Sequence, residues 1–101
     1  MQVIYKYKLA WQPAQVVHLP LKRVLTIQLQ DGMPCLWALV DTDAPEIPLT
    51  IRMVGTGTRD GCDFDTLRYI NTTQFSALVL HWFYENLPGA NNPTPRKNVN
   101  G

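Results

Sequence analysis

Apolar and polar residues alternate with a period of two over most of the first 85 positions, the repeat of a strand with one covered face. Val3, Tyr5, Tyr7 and Leu9 alternate with Ile4, Lys6 and Lys8, and Val17 and Leu19 continue the pattern briefly before Pro20. Trp11-Gln12-Pro13 marks a turn between these runs, because proline lacks the donor a strand ladder needs. From Val24 the alternation is clean, with Leu25, Ile27 and Leu29 on one side and Thr26, Gln28 and Gln30 on the other. Pro45 and Pro48 bracket a loop, after which Leu49, Ile51 and Met53 alternate with Thr50 and Arg52 in a strand that ends at Gly55. Positions 67–73 and 77–85 make a last strand pair joined near Gln74-Phe75-Ser76. No useful helix fits anywhere. The pattern predicts an all-β domain, a small antiparallel sandwich or barrel of about seven short strands.

Asp31-Gly32 is the sharpest local signal. A two-residue hairpin turn needs positive φ at both central positions, which glycine permits and aspartate tolerates. With these two residues as the loop, Gln30 faces Met33, Gln28 faces Cys35, Ile27 faces Leu36, Thr26 faces Trp37 and Leu25 faces Ala38. Leu25, Ile27, Leu29, Leu36 and Ala38 then form a wholly apolar face that must be core. The other face mixes Thr26 and Gln28 with Cys35, Trp37 and Leu39, a surface for a covering layer, a partner or a ligand. In the final strand Leu78, Leu80 and Trp82 oppose Val79, His81 and Phe83. With both faces mostly apolar, that strand is central or lies at a subunit interface.

Composition narrows the classes. The chain has 101 residues, 46% of them apolar, enough for one domain with a modest core. Nine basic against eight acidic residues give a net charge of +1, without the basic excess of a nucleic-acid-coating protein. There is no uncharged apolar run of about 18 residues, so no membrane helix is expected. The start alternates where a signal peptide would carry an apolar block. Two cysteines, Cys35 and Cys62, do not make a disulfide framework or a zinc site. From about Glu85 the chain turns rich in Pro, Gly and Asn. The expected organisation is a single β domain over 1–85 and a flexible tail over 86–101.

Candidate chemistry concentrates at Gly55-Thr56-Gly57-Thr58-Arg59. Glycines at a strand end let backbone N–H groups converge on an anion. Thr56 and Thr58 add hydroxyls, and Arg59 adds a fork that matches phosphate. Trp37 or Tyr69 would stack on a base, and Gln74 would read a base edge. The bland alternative is a strand-end bulge followed by a turn. The stretch from Arg59 to Asp65 carries three carboxylates, spacing that can hold a divalent cation but also suits a solvated turn. Cys62, beside Asp60 and Asp63, is in the wrong company for a reactive thiolate. His18 and His81 lie on strands without metal-ligand spacing, and His81 reads as a hydrogen-bonded core or interface residue. No cofactor and no metal is expected.

The run Met33-Pro34-Cys35-Leu36-Trp37-Ala38-Leu39-Val40-Asp41, with Ala44-Pro45 after it, resembles a group of small phage and prophage β-proteins of unknown function. The likeness extends over residues 3–85 to the Gly-Thr-Gly loop at 55–57, to Tyr69-Ile70 with Thr73-Gln74, and to Ala77-Leu78-Val79 with His81 and Phe83. The chain departs from that group at Thr58, where histidine is common, at Asn71, where glycine often stands, and at Phe75-Ser76, which replace glycines. The resemblance implies a phage protein acting in the host cytoplasm, without implying a mechanism. The function expected is non-enzymatic binding: a homo-oligomeric anti-defence sponge that sequesters a small anionic nucleotide signal of the host. The alternatives are a structural or protein-binding phage accessory factor working through the Trp37 face, and a small metal-dependent nucleotide hydrolase working through the acidic loop.

Overall fold

Seven strands form in the computed structural model, which describes residues 1–58 and 61–85. Arg59, Asp60 and the segment 86–101, expected as a tail, lie outside the described residues. The strands are β1 (Gln2–Lys8), β2 (Ala14–Leu19), β3 (Leu21–Gln30), β4 (Met33–Asp41), β5 (Ile47–Gly55), β6 (Leu67–Phe75) and β7 (Leu78–Glu85). A short 3-10 turn, Phe64–Thr66, precedes β6. They pair antiparallel in two sheets, ordered β1-β4-β3 and β2-β5-β7-β6. The class is all-β. Leu36, Ala38 and Val40 from one sheet and Leu49, Ile51 and Trp82 from the other are fully buried between the layers. β7 is central in its sheet, as its two apolar faces require.

The hairpin between β3 and β4 turns on Asp31 at φ 54° and Gly32 at φ 77°, and the expected pairs hold from Gln30–Met33 to Thr26–Trp37. Beyond them the expectation fails. Val24, not Leu25, faces Ala38, and Leu25 is 38% exposed instead of core. A bulge makes Leu25 the extra residue, and a second register shift follows at Lys22. β3 is an edge strand, and each inserted residue bends and twists it. β5 also differs from expectation, starting two residues earlier so that Pro48 lies inside it, where only β2 pairs with the strand.

Both gaps between the sheets are bridged by a side-chain amide. At one seam, β3 lies beside β6. There Asn71 Oδ1 accepts from the Ile27 N–H at 2.8 Å, and Asn71 Nδ2 donates to the Ile27 carbonyl at 2.7 Å. At the other, Gln15 on β2 does the same for Ala10, just beyond β1, with two bonds of 2.8 Å. Each carboxamide presents a donor and an acceptor side by side, as a neighbouring strand would. The sandwich is thereby pinned along both open edges.

The β6–β7 hairpin pairs Phe75 with Leu78 and places Ser76 at φ 56°. A residue with a Cβ in that region is strained by about 1–2 kcal/mol, partly offset by the extra freedom glycine has when unfolded. Ser76→Gly is therefore expected to raise stability by about 0.5 kcal/mol, read as a higher urea midpoint at unchanged slope.

Candidate functional site

On the outer face of the four-stranded sheet, β5 and β7 run side by side with Val54 opposite His81 and Arg52 opposite Phe83. The chain leaves β5 through the Gly-Thr-Gly loop and folds back over that face. A Cβ at Gly55 would lie 3.1 Å from the Thr58 methyl, so a side chain there would press on the returning loop. The Thr58 N–H and hydroxyl both donate to the Gly55 carbonyl, at 3.2 and 2.9 Å, and the Thr56 N–H donates to the Val79 carbonyl at 3.3 Å. Three of the donors expected to grip phosphate are thus already engaged, two inside the loop and one on β7.

Below the loop lies a concavity of about 310 Å³ lined by residues 54–58 with Phe64, His81 and Phe83. Phe64 meets Phe83 edge-on at 5.5 Å between ring centroids, and Tyr69 meets it from the other side at 5.6 Å. His81 sits between two hydroxyls, with Thr56 Oγ1 2.7 Å from Nε2 and Thr72 Oγ1 2.9 Å from Nδ1. Tyr69 Oη lies 2.6 Å from that Thr72 oxygen. Tyr69, Thr72, His81 and Thr56 therefore form one hydrogen-bonded chain along the rim of an aromatic-walled recess. Such a recess can hold a planar ring by its faces and edges.

Of the residues singled out from the sequence, Gly55, Thr56, Gly57 and Thr58 line this recess, and Tyr69 borders it. Gln74 is exposed on β6 opposite Val79, on the same face as Thr72. Arg59 falls outside the described residues. Trp37 must be corrected. It pairs with Lys6 and Thr26 on the outer face of the three-stranded sheet, so the whole core separates it from the loop and it does not stack on anything bound there. His81, which the sequence reads as a hydrogen-bonded core or interface residue, lines the recess and is hydrogen-bonded between Thr56 and Thr72. The signal for it was its place in the last strand, where Val79, His81 and Phe83 share one face.

Asp63 Oδ1 accepts from the Asp65 N–H at 3.1 Å and caps the 3-10 turn. Among the described residues no three His, Cys, Asp or Glu side chains stand together as a metal set. Cys62 keeps different company from that expected: Arg52 Nη2 donates to its sulfur at 2.9 Å, while Arg52 Nη1 reaches Glu85 at 3.4 Å.

Fold and recess together define a small two-sheet β domain with an aromatic-walled recess on one outer face. Within that class, the chain belongs to the family described as a domain of unknown function, DUF7352, whose match runs over residues 1–93. No curated protein and no solved structure matches it.

Proposed function

We propose that this protein is a non-enzymatic binding protein that sequesters a small nucleotide-derived ligand, with the base held in the recess under the Gly-Thr-Gly loop. The observation that carries this reading is the placement of Phe64 and Phe83 in one recess, with Tyr69 packed against Phe83 and the Thr56–His81–Thr72 chain beside it. Aromatic walls supply stacking, worth about 1–3 kcal/mol per base, and the hydroxyls and imidazole supply edge contacts. The resemblance to phage β-proteins adds the setting: a phage-encoded anti-defence sponge in the host cytoplasm, its ligand a host immune signal. A homo-oligomer belongs to the same reading, since a second copy would deepen a recess that one small domain leaves shallow.

Calorimetry against cyclic dinucleotides, ADP-ribose derivatives and adenosine tests it. Saturable binding is expected, weakened about tenfold or more by Phe83→Ala, the loss of one stacking partner. Silence from every one of these at millimolar concentration removes the proposal.

A second reading, a protein-binding accessory factor, is favoured by the opposite face. There Ile4 is 59% exposed and pairs with Leu39, next to Trp37. It predicts that Trp37→Ala abolishes function while Phe83→Ala leaves it intact.

A further inference from the structure

β1 is an edge strand, and one side of its backbone is unclaimed. The Leu9 N–H donates to the Pro34 carbonyl and the Thr42 N–H to the Met1 carbonyl, both at 2.9 Å. Antiparallel ladder bonds fall on alternate residues. The odd positions of β1 therefore bond to β4, while Gln2, Ile4, Lys6 and Lys8 turn their N–H and carbonyl groups away from it. Ala10 is turned the same way, and the Gln15 carboxamide takes both of its groups. The four residues before it have no backbone partner on that side among the described residues. The side chains show a matching gap. Val3, Tyr5 and Tyr7 stand opposite Val40, Ala38 and Leu36, on the core side of the sheet. Val3 and Tyr7 pack against the core, yet Tyr5 is 49% exposed, and its outward neighbour Ile4 is 59% exposed.

We infer that the strand missing from this edge is β1 of a second copy of the chain, paired antiparallel about a two-fold axis at Tyr5. In that register Gln2 faces Lys8, Val3 faces Tyr7, Ile4 faces Lys6 and Tyr5 faces its counterpart, so all 7 residues of the strand pair. The outward donors and acceptors of the even positions then meet one another, and no lysine opposes a lysine. Moving the axis to Lys6 would set like charges against each other, which destabilises a pair, and moving it to Ile4 would leave Lys8 without a partner. An axis normal to the sheet keeps the two core sides together. Val3, Tyr5 and Tyr7 of both copies then form one continuous strip. Burial of that strip supplies the drive, because edge groups that exchange water for each other gain little; their hydrogen bonds fix the register. β1 takes no part in the recess on β5 and β7. The pairing gives the homo-oligomer of the ligand-binding reading a definite surface without depending on that reading.

Sedimentation of the full chain tests the pairing. A dimer is expected at about 200 μM that dissociates on dilution to about 1 μM, as suits a small interface. Ile4→Pro removes an outward N–H and spares the ladder to β4, a place where an edge strand accepts proline. It should weaken dimerisation about tenfold or more, while the diluted monomer keeps the circular dichroism of wild type. Tyr5→Cys tests the register. At the axis the two cysteines form a non-hydrogen-bonded pair with Cα atoms about 4.5 Å apart, a separation a disulfide spans. Mild oxidation should lock that variant as a dimer, whereas Gln2→Cys, which faces Lys8, should cross-link no more than wild type. Wild-type protein that stays monomeric at about 1 mM overturns the inference, and Lys6 and Lys8 would then be guards that keep the edge single. So does an Ile4→Pro variant that dimerises as wild type does, or a dimer that Tyr5→Cys fails to lock. Adenosine binding by a chain that stays monomeric leaves the proposed function standing without this pairing. A dimer that binds no nucleotide does the opposite.

Discussion

Replacing Trp82 by alanine is expected to lower the unfolding free energy by about 3–5 kcal/mol, the range for deleting a large buried aromatic. Trp82 is fully buried and stands opposite Met53 on one neighbouring strand and Asn71 on the other. Its Nε1–H donates to Thr73 Oγ1 at 2.9 Å, and Thr73 is itself buried. Alanine therefore removes the largest side chain of the core and strands the threonine hydroxyl. A domain of this size has a total stability near the lower end of about 5–15 kcal/mol, so a substantial unfolded population is expected at 37 °C. Trp82→Phe keeps most of the volume and loses the hydrogen bond, and should cost about 1–2 kcal/mol. Urea unfolding of the three proteins checks the order. Equal midpoints for wild type and Trp82→Ala would show that the core lies elsewhere.

Asn71→Ala is expected to cost about 2–4 kcal/mol, although it removes little apolar area. Its amide satisfies both polar groups of Ile27, and Ile27 has no exposed surface. Each group left without a partner where water does not reach costs about 1–3 kcal/mol. Asn71→Asp separates the two bonds, because a carboxylate still accepts from the Ile27 N–H but meets the carbonyl with a second acceptor. It should therefore be no better than alanine above the carboxylate's titration range. Amide hydrogen exchange gives a local readout: the Ile27 N–H, on an edge strand, is protected in wild type and should exchange quickly in Asn71→Ala. Unchanged protection would contradict the clamp.

Local signals carried the reading as far as they reached. Asp31-Gly32 fixed the hairpin because the turn type is written in two adjacent residues, and five residue pairs followed from it. The register fails at Leu25 because nothing in Val24-Leu25-Thr26 distinguishes a bulged strand from a regular one; the strand lying beside this edge, β6, begins only at Leu67. Trp37 shows the same limit for the site. Alternation correctly put it on the face opposite Leu36 and Ala38, yet says nothing of which layer that face belongs to. Tyr69 lies against Phe83 beside the recess, and the strand pattern of His81 does not show its contact with Thr56, since the β5–β7 pairing that brings the two together is long-range.

The paired amide clamps bear on motion between the layers. Gln15 and Asn71 hold opposite margins of the sandwich, and each is a tether of fixed length. Separating the layers at the β3–β6 margin would break both Asn71 bonds to Ile27 at once, so opening there carries the cost of two hydrogen bonds.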